Sequence, residues 1–341
     1  MSMQTASVSS AAAVLQILSG YWSSRAVYAA AKLGIADLIQ DGPKTAAELA
    51  SRTETHPPSL YRLLRALASI GWLTEDEGRF GPTPLTPGIQ SGVPGSLRNL
   101  AITELGQEHY PAWEDLLFSL RTGDIAFNHV FGMQNWEYWA SHPEHAQIFN
   151  QAMSEVTAVT EPAVLAAYEF SDFNKIVDVG GGRGTLIASI LRACPKARGV
   201  VLDLPHVIEL GRQHIQEQDL GARCDLIAGD FFERVPEGGD VYILKWVIHD
   251  WDDERSIAIL KSCHRSMPPT AKLLVIEAVI PVGNQPFLHK FMDLNMLVMT
   301  GGRERTAAEY RALFEAAGFH LNRIISTPME VAVLESIRRN V

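Results

Sequence analysis

Val177-Asp178-Val179-Gly180-Gly181-Gly182-Arg183-Gly184 is an apolar run that ends in an acid and a glycine cluster, the pattern of a strand feeding a ligand pocket before a helix opens near Thr185. Glycine has no Cβ and reaches φ > 0, so Gly180, Gly182 and Gly184 permit a tight turn and a close approach of backbone to ligand. The spacing narrows the ligand. A dinucleotide fingerprint would need glycine at position 185, where Thr185 stands, and no Gly-Lys-Ser/Thr ending follows to cradle phosphates.

Downstream of residue 171, β-rich apolar runs at 175–179, 199–203, 225–228, 241–248 and 272–280 alternate with amphipathic helical stretches, which predicts a parallel α/β sheet. A helix over 306–317 and strands over 321–326 and 331–337, joined through Thr327-Pro328, add an antiparallel hairpin. Upstream, residues 87–170 read as helical and rich in aromatics, with Phe149 and Met153 on one helix face. The first hundred residues start with helices over 11–18 and 24–39, stopped by Gly42-Pro43. Thr45-Ala46-Ala47-Glu48 is a capping box opening a helix to Ser51, and Pro57-Pro58 precedes another over 59–70 that Gly71 ends. Residues 72–74 and 79–82 form a small hairpin, completing a winged-helix arrangement. The expected domains are a winged-helix-like unit over 1–100, a helical linker with pocket residues over 101–170, and an α/β ligand-binding domain over 171–341.

The chain has 341 residues and a formal charge of −10, enough for about two domains of ~100–200 residues. A winged helix is also a DNA-binding fold, so charge has to arbitrate. Residues 1–100 hold eight Lys and Arg against seven Asp and Glu, and the helix that would enter a groove offers only Arg62 and Arg65. The wing carries Glu75-Asp76-Glu77, which phosphate would repel. No nucleic-acid partner is expected, and a ligand-responsive DNA-binding regulator stands as the competing reading from another class. Cys194, Cys224 and Cys263 have neither C-x-x-C nor metal spacing and read as buried free thiols in a reducing cytosol. The polar, Ser-rich start lacks a basic region, and no apolar run reaches the ~20 residues of a membrane span. A cytoplasmic protein with no membrane partner is therefore expected.

In open α/β sheets ligands sit at the carboxyl ends of strands. Asp203 ends the second strand, where an acid hydrogen-bonds ribose hydroxyls, and Asp230-Phe231 follow the third. Lys245-Trp246 lie in the fourth, His249-Asp250-Trp251 come directly after it, and Glu277 lies near the end of the fifth.

The set and its order resemble the small-molecule O-methyltransferases of the plant caffeic acid and isoflavone type, a family shared with hydroxyindole O-methyltransferase and bacterial antibiotic-tailoring enzymes. The resemblance covers nearly all of the chain. It is carried by the glycine loop, Gly229-Asp230-Phe231-Phe232, His249-Asp250-Trp251-Asp252-Asp253-Glu254 and Gly301-Gly302-Arg303-Glu304-Arg305-Thr306. It implies a Rossmann-like class I methyltransferase sheet, S-adenosylmethionine as cofactor, and a winged helix that makes a homodimer and covers the active site.

By the same resemblance, Gly180 and Gly182 approach the methionine part of the cofactor, Asp203 holds the ribose, and Leu204, Asp230 and Phe231 line the adenine. Lys245 lies beside the cofactor, Trp251 packs on adenine, and Thr157 reaches the methionine end. His249 is the implied general base, since a phenol has a pKa near ~10 and its methylation gains from a neutral imidazole that takes the proton. Glu277 and Glu304 are the implied carboxylates that bracket the histidine and orient its ring. Asp250 contacts the acceptor, and Phe149, Met153, Asn295, Met296 and Met299 match or flank positions that line the pocket for a small hydroxylated aromatic. No His, Asp or Glu cluster has ligand spacing, so no metal is expected. Some bacterial members of the family keep the cofactor fold but hydroxylate or decarboxylate; His249 and both glutamates point instead to methyl transfer.

Overall fold

Gly34, in the left-handed region at φ 64°, ends a helix that runs unbroken over Ser10–Leu33. The sequence predicts two helices over 11–18 and 24–39, but the structure carries one straight through Gly20 and follows it with the short Ile35–Leu38. An interior glycine costs a helix about 1 kcal/mol, which a long helix absorbs, whereas a left-handed residue turns the chain. The structure is a computed structural model and describes residues 10–339, so the polar start, Ser10 apart, lies outside it. The chain forms two compact units, one ending at Gln107 and the other starting at Glu108. Of the expected middle segment, residues 101–107 thus belong with the first unit and 108–170 with the second.

In the first unit Thr45 caps the helix Ala46–Thr53 as read from the sequence: Thr45 Oγ1 accepts from Glu48 N at 3.2 Å and Glu48 Oε2 accepts from Thr45 N at 2.6 Å. The helix Pro57–Ser69 buries Leu60, Leu64 and Leu67 along one face. Three antiparallel strands follow the order β1-β3-β2, with β1 Lys44–Thr45, β2 Leu73–Asp76 and β3 Arg79–Pro82. Glu77 and Gly78, both at positive φ, form the tight turn of the wing. The long first helix leaves Val14, Leu15, Ile17, Leu18, Tyr21 and Trp22 exposed.

The second unit starts with short helices and the long helix Pro143–Ala167, then builds a seven-stranded sheet. Its strands are β4 Lys175–Val179, β5 Arg198–Asp203, β6 Cys224–Ala228, β7 Val241–Lys245, β8 Lys272–Glu277, β9 Phe319–Ser326 and β10 Ala332–Arg338. The order is β6-β5-β4-β7-β8-β10-β9, parallel through β8 and antiparallel beyond it. The expected C-terminal hairpin is present, with its second strand inserted between β8 and β9. Helices cover both faces, so the strands are apolar on both sides: Val177, Leu244 and Val275 enter one core and Ile176, Ile243 and Ile276 the other.

Two strands stop short of the run read from the sequence. β7 ends at Lys245 rather than 248 and β8 at Glu277 rather than 280. Trp246 takes φ 53°, an outlier for a bulky residue, and the chain then forms a single turn over Ile248–Asp250. That bend sets the site. No helix among the described residues is long and apolar enough to cross a membrane.

Candidate active site

At the carboxyl ends of β4 to β7 the second unit encloses a cavity of about 560 Å³, within the usual range for small-molecule sites. The glycine loop forms its floor. Gly180, at φ 68°, cannot carry a side chain, since a Cβ would lie 2.7 Å from Val247 Cγ2. Gly182, at φ 59°, faces open space, and its N–H donates to Asp203 Oδ2 at 2.8 Å. Asp203 Oδ1 accepts from Leu204 N at 2.7 Å, so the carboxylate fastens the loop to the end of β5. Burial raises Asp203 to about 6, the two backbone donors opposing it. Asp178 lies beneath the loop with Oδ2 buried and unpaired, and burial raises it to about 7.

The structure brings the expected cofactor residues together: Gly180, Gly182, Asp203, Leu204, Asp230, Phe231, Lys245, Trp251 and Thr157 all line the cavity. Phe149, Met153 and Thr157 present one face of Pro143–Ala167 to it, each four residues after the last. Lys245 Nζ donates to Thr157 Oγ1 at 3.1 Å and lies 3.3 Å from the centre of the Trp246 ring. Burial lowers this lysine to about 7 despite Asp178, Glu161 and Glu277 nearby. Trp251 stacks with Trp136 at 6.0 Å, and Phe149 with Trp139 at 4.8 Å, giving the cavity aromatic walls.

Asp250 also lines this cavity, but His249 is not in its wall and is nearly buried. Glu304 Oε1 lies 3.0 Å from His249 Nδ1, and Asp250 Oδ1 lies 3.8 Å from Nε2. Burial alone would depress the histidine; Asp250, Glu304 and Glu277 outweigh it and raise the ring to about 10. The same pairing holds Glu304 at about 2, against the upward pull of burial. With a folded value above the ordinary one, this pair stabilises the fold at neutral pH and loses that contribution as pH rises through about 10.

Glu277 departs from the expected role of orienting the ring. Its Oε1 accepts from the N–H groups of Val247, Ile248 and His249 at 3.1, 2.7 and 3.2 Å. Its Oε2 accepts from Tyr310 OH at 2.5 Å. Glu277 thus holds the backbone turn that presents His249, because the bend at Trp246 aims three N–H groups at the end of β8. Asn295, Met296 and Met299 lie outside the cavity wall and are buried. Asn295 Oδ1 accepts from Trp113 Nε1 at 2.7 Å, and Met299 packs with Phe127, Tyr138, Trp139 and Val298 in a local core. Sequence reasoning placed Trp246 at a strand end without giving it a role, and missed Trp136, Trp139 and Arg255 in the wall, and also His289, whose Nδ1 lies 3.0 Å from Glu304 Oε1. His289 lies outside the motif that holds Glu304, and no local pattern marked it. Among the described residues no group of three or more His, Cys, Asp or Glu could hold a metal ion.

Gly302 packs against the backbone of His249, Asp250 and Trp251, and a Cβ there would collide with it. Gly302→Ala must push the histidine turn away, and overpacking of this kind costs about 1–3 kcal/mol or more. We expect a lower melting temperature and a larger loss of turnover than of cofactor affinity. Parent-like melting and turnover would show that the turn yields without consequence.

Residues 15–87 match the O-methyltransferase dimerisation domain and residues 113–320 the O-methyltransferase domain. The chain is 47% identical over 324 residues to phenazine O-methyltransferase PhzM of Lysobacter antibioticus, covering 95% of each chain. Among solved structures it is similar to LaPhzM, with a TM-score of 0.94 and 46% identity over 97% of this chain and 100% of that one. It is also similar to NcsB1, an O-methyltransferase from neocarzinostatin biosynthesis crystallised with S-adenosylmethionine and 2-hydroxy-5-methyl naphthoic acid. That match has a TM-score of 0.81 and 33% identity over 95% of this chain and 98% of the other. Relatives include an N-methyltransferase, phenazine-1-carboxylate N-methyltransferase of Pseudomonas aeruginosa, 31% identical over 342 residues, 98% of this chain and 100% of that protein.

Proposed function

Because this chain belongs to the S-adenosylmethionine-dependent O-methyltransferase family, we propose that it methylates a hydroxyl of a small aromatic natural product, with His249 as general base and without a metal. The observation that carries the base assignment is the His249 Nδ1–Glu304 Oε1 contact of 3.0 Å. An ionised carboxylate only accepts, so it holds the ring with Nδ1 protonated and leaves Nε2 as the basic nitrogen.

The cavity suits the cofactor. Gly182 opens onto free space, and Asp178 Oδ2 is a buried acceptor without a partner. Carboxylates of Asp178, Asp203, Asp230, Asp250 and Glu254 line the wall, a set that suits a ribose diol and cationic groups and would repel a diphosphate. When bound, the sulfonium supplies an electrophilic methyl carbon. His249 Nε2 takes the hydroxyl proton as the acceptor oxygen attacks, and Glu304 and Asp250 stabilise the imidazolium that forms. Those same carboxylates favour the protonated ring against the pull of burial; Asp250, which also lines the cavity, has less hold on it once a cation is near. Trp136, Trp139 and Phe149 offer flat faces to an aromatic acceptor.

A mass-spectrometric screen of hydroxylated phenazines and naphthoates beside matching amines tests the reading. Gain of one methyl on the hydroxy compounds, unchanged by chelator, is expected. Methylation of the amines alone would sink it, and loss with chelator would sink the metal-free mechanism. Asp203→Ala should weaken S-adenosylmethionine binding by about 1–3 kcal/mol in calorimetry, the range for losing hydrogen bonds to a charged group; an unchanged affinity would mean the ribose is held elsewhere.

The winged-helix unit contains the matched dimerisation domain, which supports a homodimer over the DNA-binding reading. The exposed apolar side chains from Val14 to Trp22 support pairing with a second copy. Deleting residues 1–20 should yield a monomeric or aggregating protein by light scattering; a soluble dimer would place the interface elsewhere. The free cysteines, all buried, fit a reducing cytoplasm.

A further inference from the structure

Glu304 Oε1 receives two imidazoles, not one. His249 Nδ1 and His289 Nδ1 each lie 3.0 Å from it, while Glu304 Oε2 is buried without a partner. Both histidine side chains are almost equally enclosed, each 11% exposed. Glu304 is held well below the usual carboxylate range and acts as acceptor only. Each ring must then donate through Nδ1, and two donors divide the negative charge of one oxygen. The arrangement is built in: His289 opens the helix His289–Met299, and Glu304, beyond its end, is tied back to it by its N–H donating to Asp293 Oδ1 at 2.8 Å.

We propose that His289 is a positioning residue of this site, which orients Glu304 and, by taking a share of Oε1, limits how tightly that carboxylate holds the proton of His249. The inference rests on the base role of His249. A general base has to be free of its proton before it can take another, and a carboxylate devoted wholly to His249 would keep it charged. The carboxylates that act on His249 are Asp250, Glu304 and Glu277. Around Glu304 stand His249, His289, Asp293 and Tyr310, with Arg303 and Arg305 adjoining Asp293 and Tyr310.

The test compares His289→Ala with His289→Asn in the full-length protein saturated with S-adenosylmethionine. An asparagine amide falls near the place of Nδ1 and still donates; alanine does not. Histidine-ring NMR titration reads His249 without an acceptor, and the pH profile of kcat/KM with the best acceptor from the screen reads its consequence. In His289→Ala the His249 midpoint and the acid limb move up by about one pH unit, a roughly tenfold loss at neutral pH that recovers at high pH. His289→Asn keeps the parent midpoint. An unmoved midpoint in the alanine variant, or an equal loss at every pH, overturns the proposal, as does an asparagine variant that shifts like alanine. Should the alanine variant fail to fold, His289→Gln, whose amide lies one bond further out, replaces it. His249→Ala separates the two readings: if it turns over normally the base role falls, whereas an inert His249→Ala beside an unshifted His289→Ala removes only this inference.

Discussion

Replacing His249 with alanine lowers methyl transfer by about 10²–10⁴-fold, the usual worth of a general base, and leaves S-adenosylmethionine affinity near that of the parent. The separation is expected because His249 lies outside the cavity wall and its ring is held by Glu304. The parent rate rises with pH as the imidazolium loses its proton, since Asp250 and Glu304 raise the ring's pKa and only the neutral ring accepts. Glu304→Gln removes one of those carboxylates, so its acid limb moves to lower pH while its maximal rate falls. Steady-state assays across the neutral and alkaline range, with calorimetry of cofactor binding, check both variants. Near-parent turnover by His249→Ala, or a limb that stays put in Glu304→Gln, would end the assignment.

The largest loss of stability is expected at Arg305, a fully buried guanidinium at the end of the same motif as Glu304. Its Nε and NH2 donate to Asp253 Oδ1 at 3.0 and 2.8 Å, and the fork also reaches Ile248 O at 3.1 Å, Trp251 O at 2.9 Å and Ser256 Oγ at 3.2 Å. It therefore ties both sides of the turn Ile248–Asp250 to the start of the helix Asp253–Ser266. Arg305→Ala leaves the carbonyls of Ile248 and Trp251 without this donor, a loss of about 1–3 kcal/mol for each. For a unit of this size that corresponds to roughly 10 °C in melting temperature. Arg305→Lys should recover little, because a single ammonium cannot span the fork. Thermal unfolding followed by circular dichroism decides it, and two variants melting with the parent would show that the turn is held by Glu277 alone.

Local signals made most of the fold legible. The capping box at Thr45, the left-handed glycines after β4 and the strand-end acids are each set by a few neighbouring residues, and the structure has all of them. Errors arose where a distant partner overruled a local preference. Val247 and Ile248 look like strand, yet β7 stops at Lys245: the N–H of Trp246 makes the last ladder bond, to Ile276 O on β8, the chain then turns at Trp246 with φ 53°, and Glu277 captures the next three amides. Met296 and Met299 share a helix with residues on several faces, and periodicity could not say which face met the core.

By itself the sequence determined the class of sheet, the place of the glycine loop and the residues gathered at the strand ends, because strand–turn–helix geometry follows from local chemistry. Only the tertiary structure decided what those residues touch: that Glu277 grips backbone rather than imidazole, that Arg305 frames the turn, and that His249 and His289 meet on one oxygen. Such pairings join positions far apart in the chain, and their distances are set by how helices and strands pack together, which no stretch of neighbouring residues encodes.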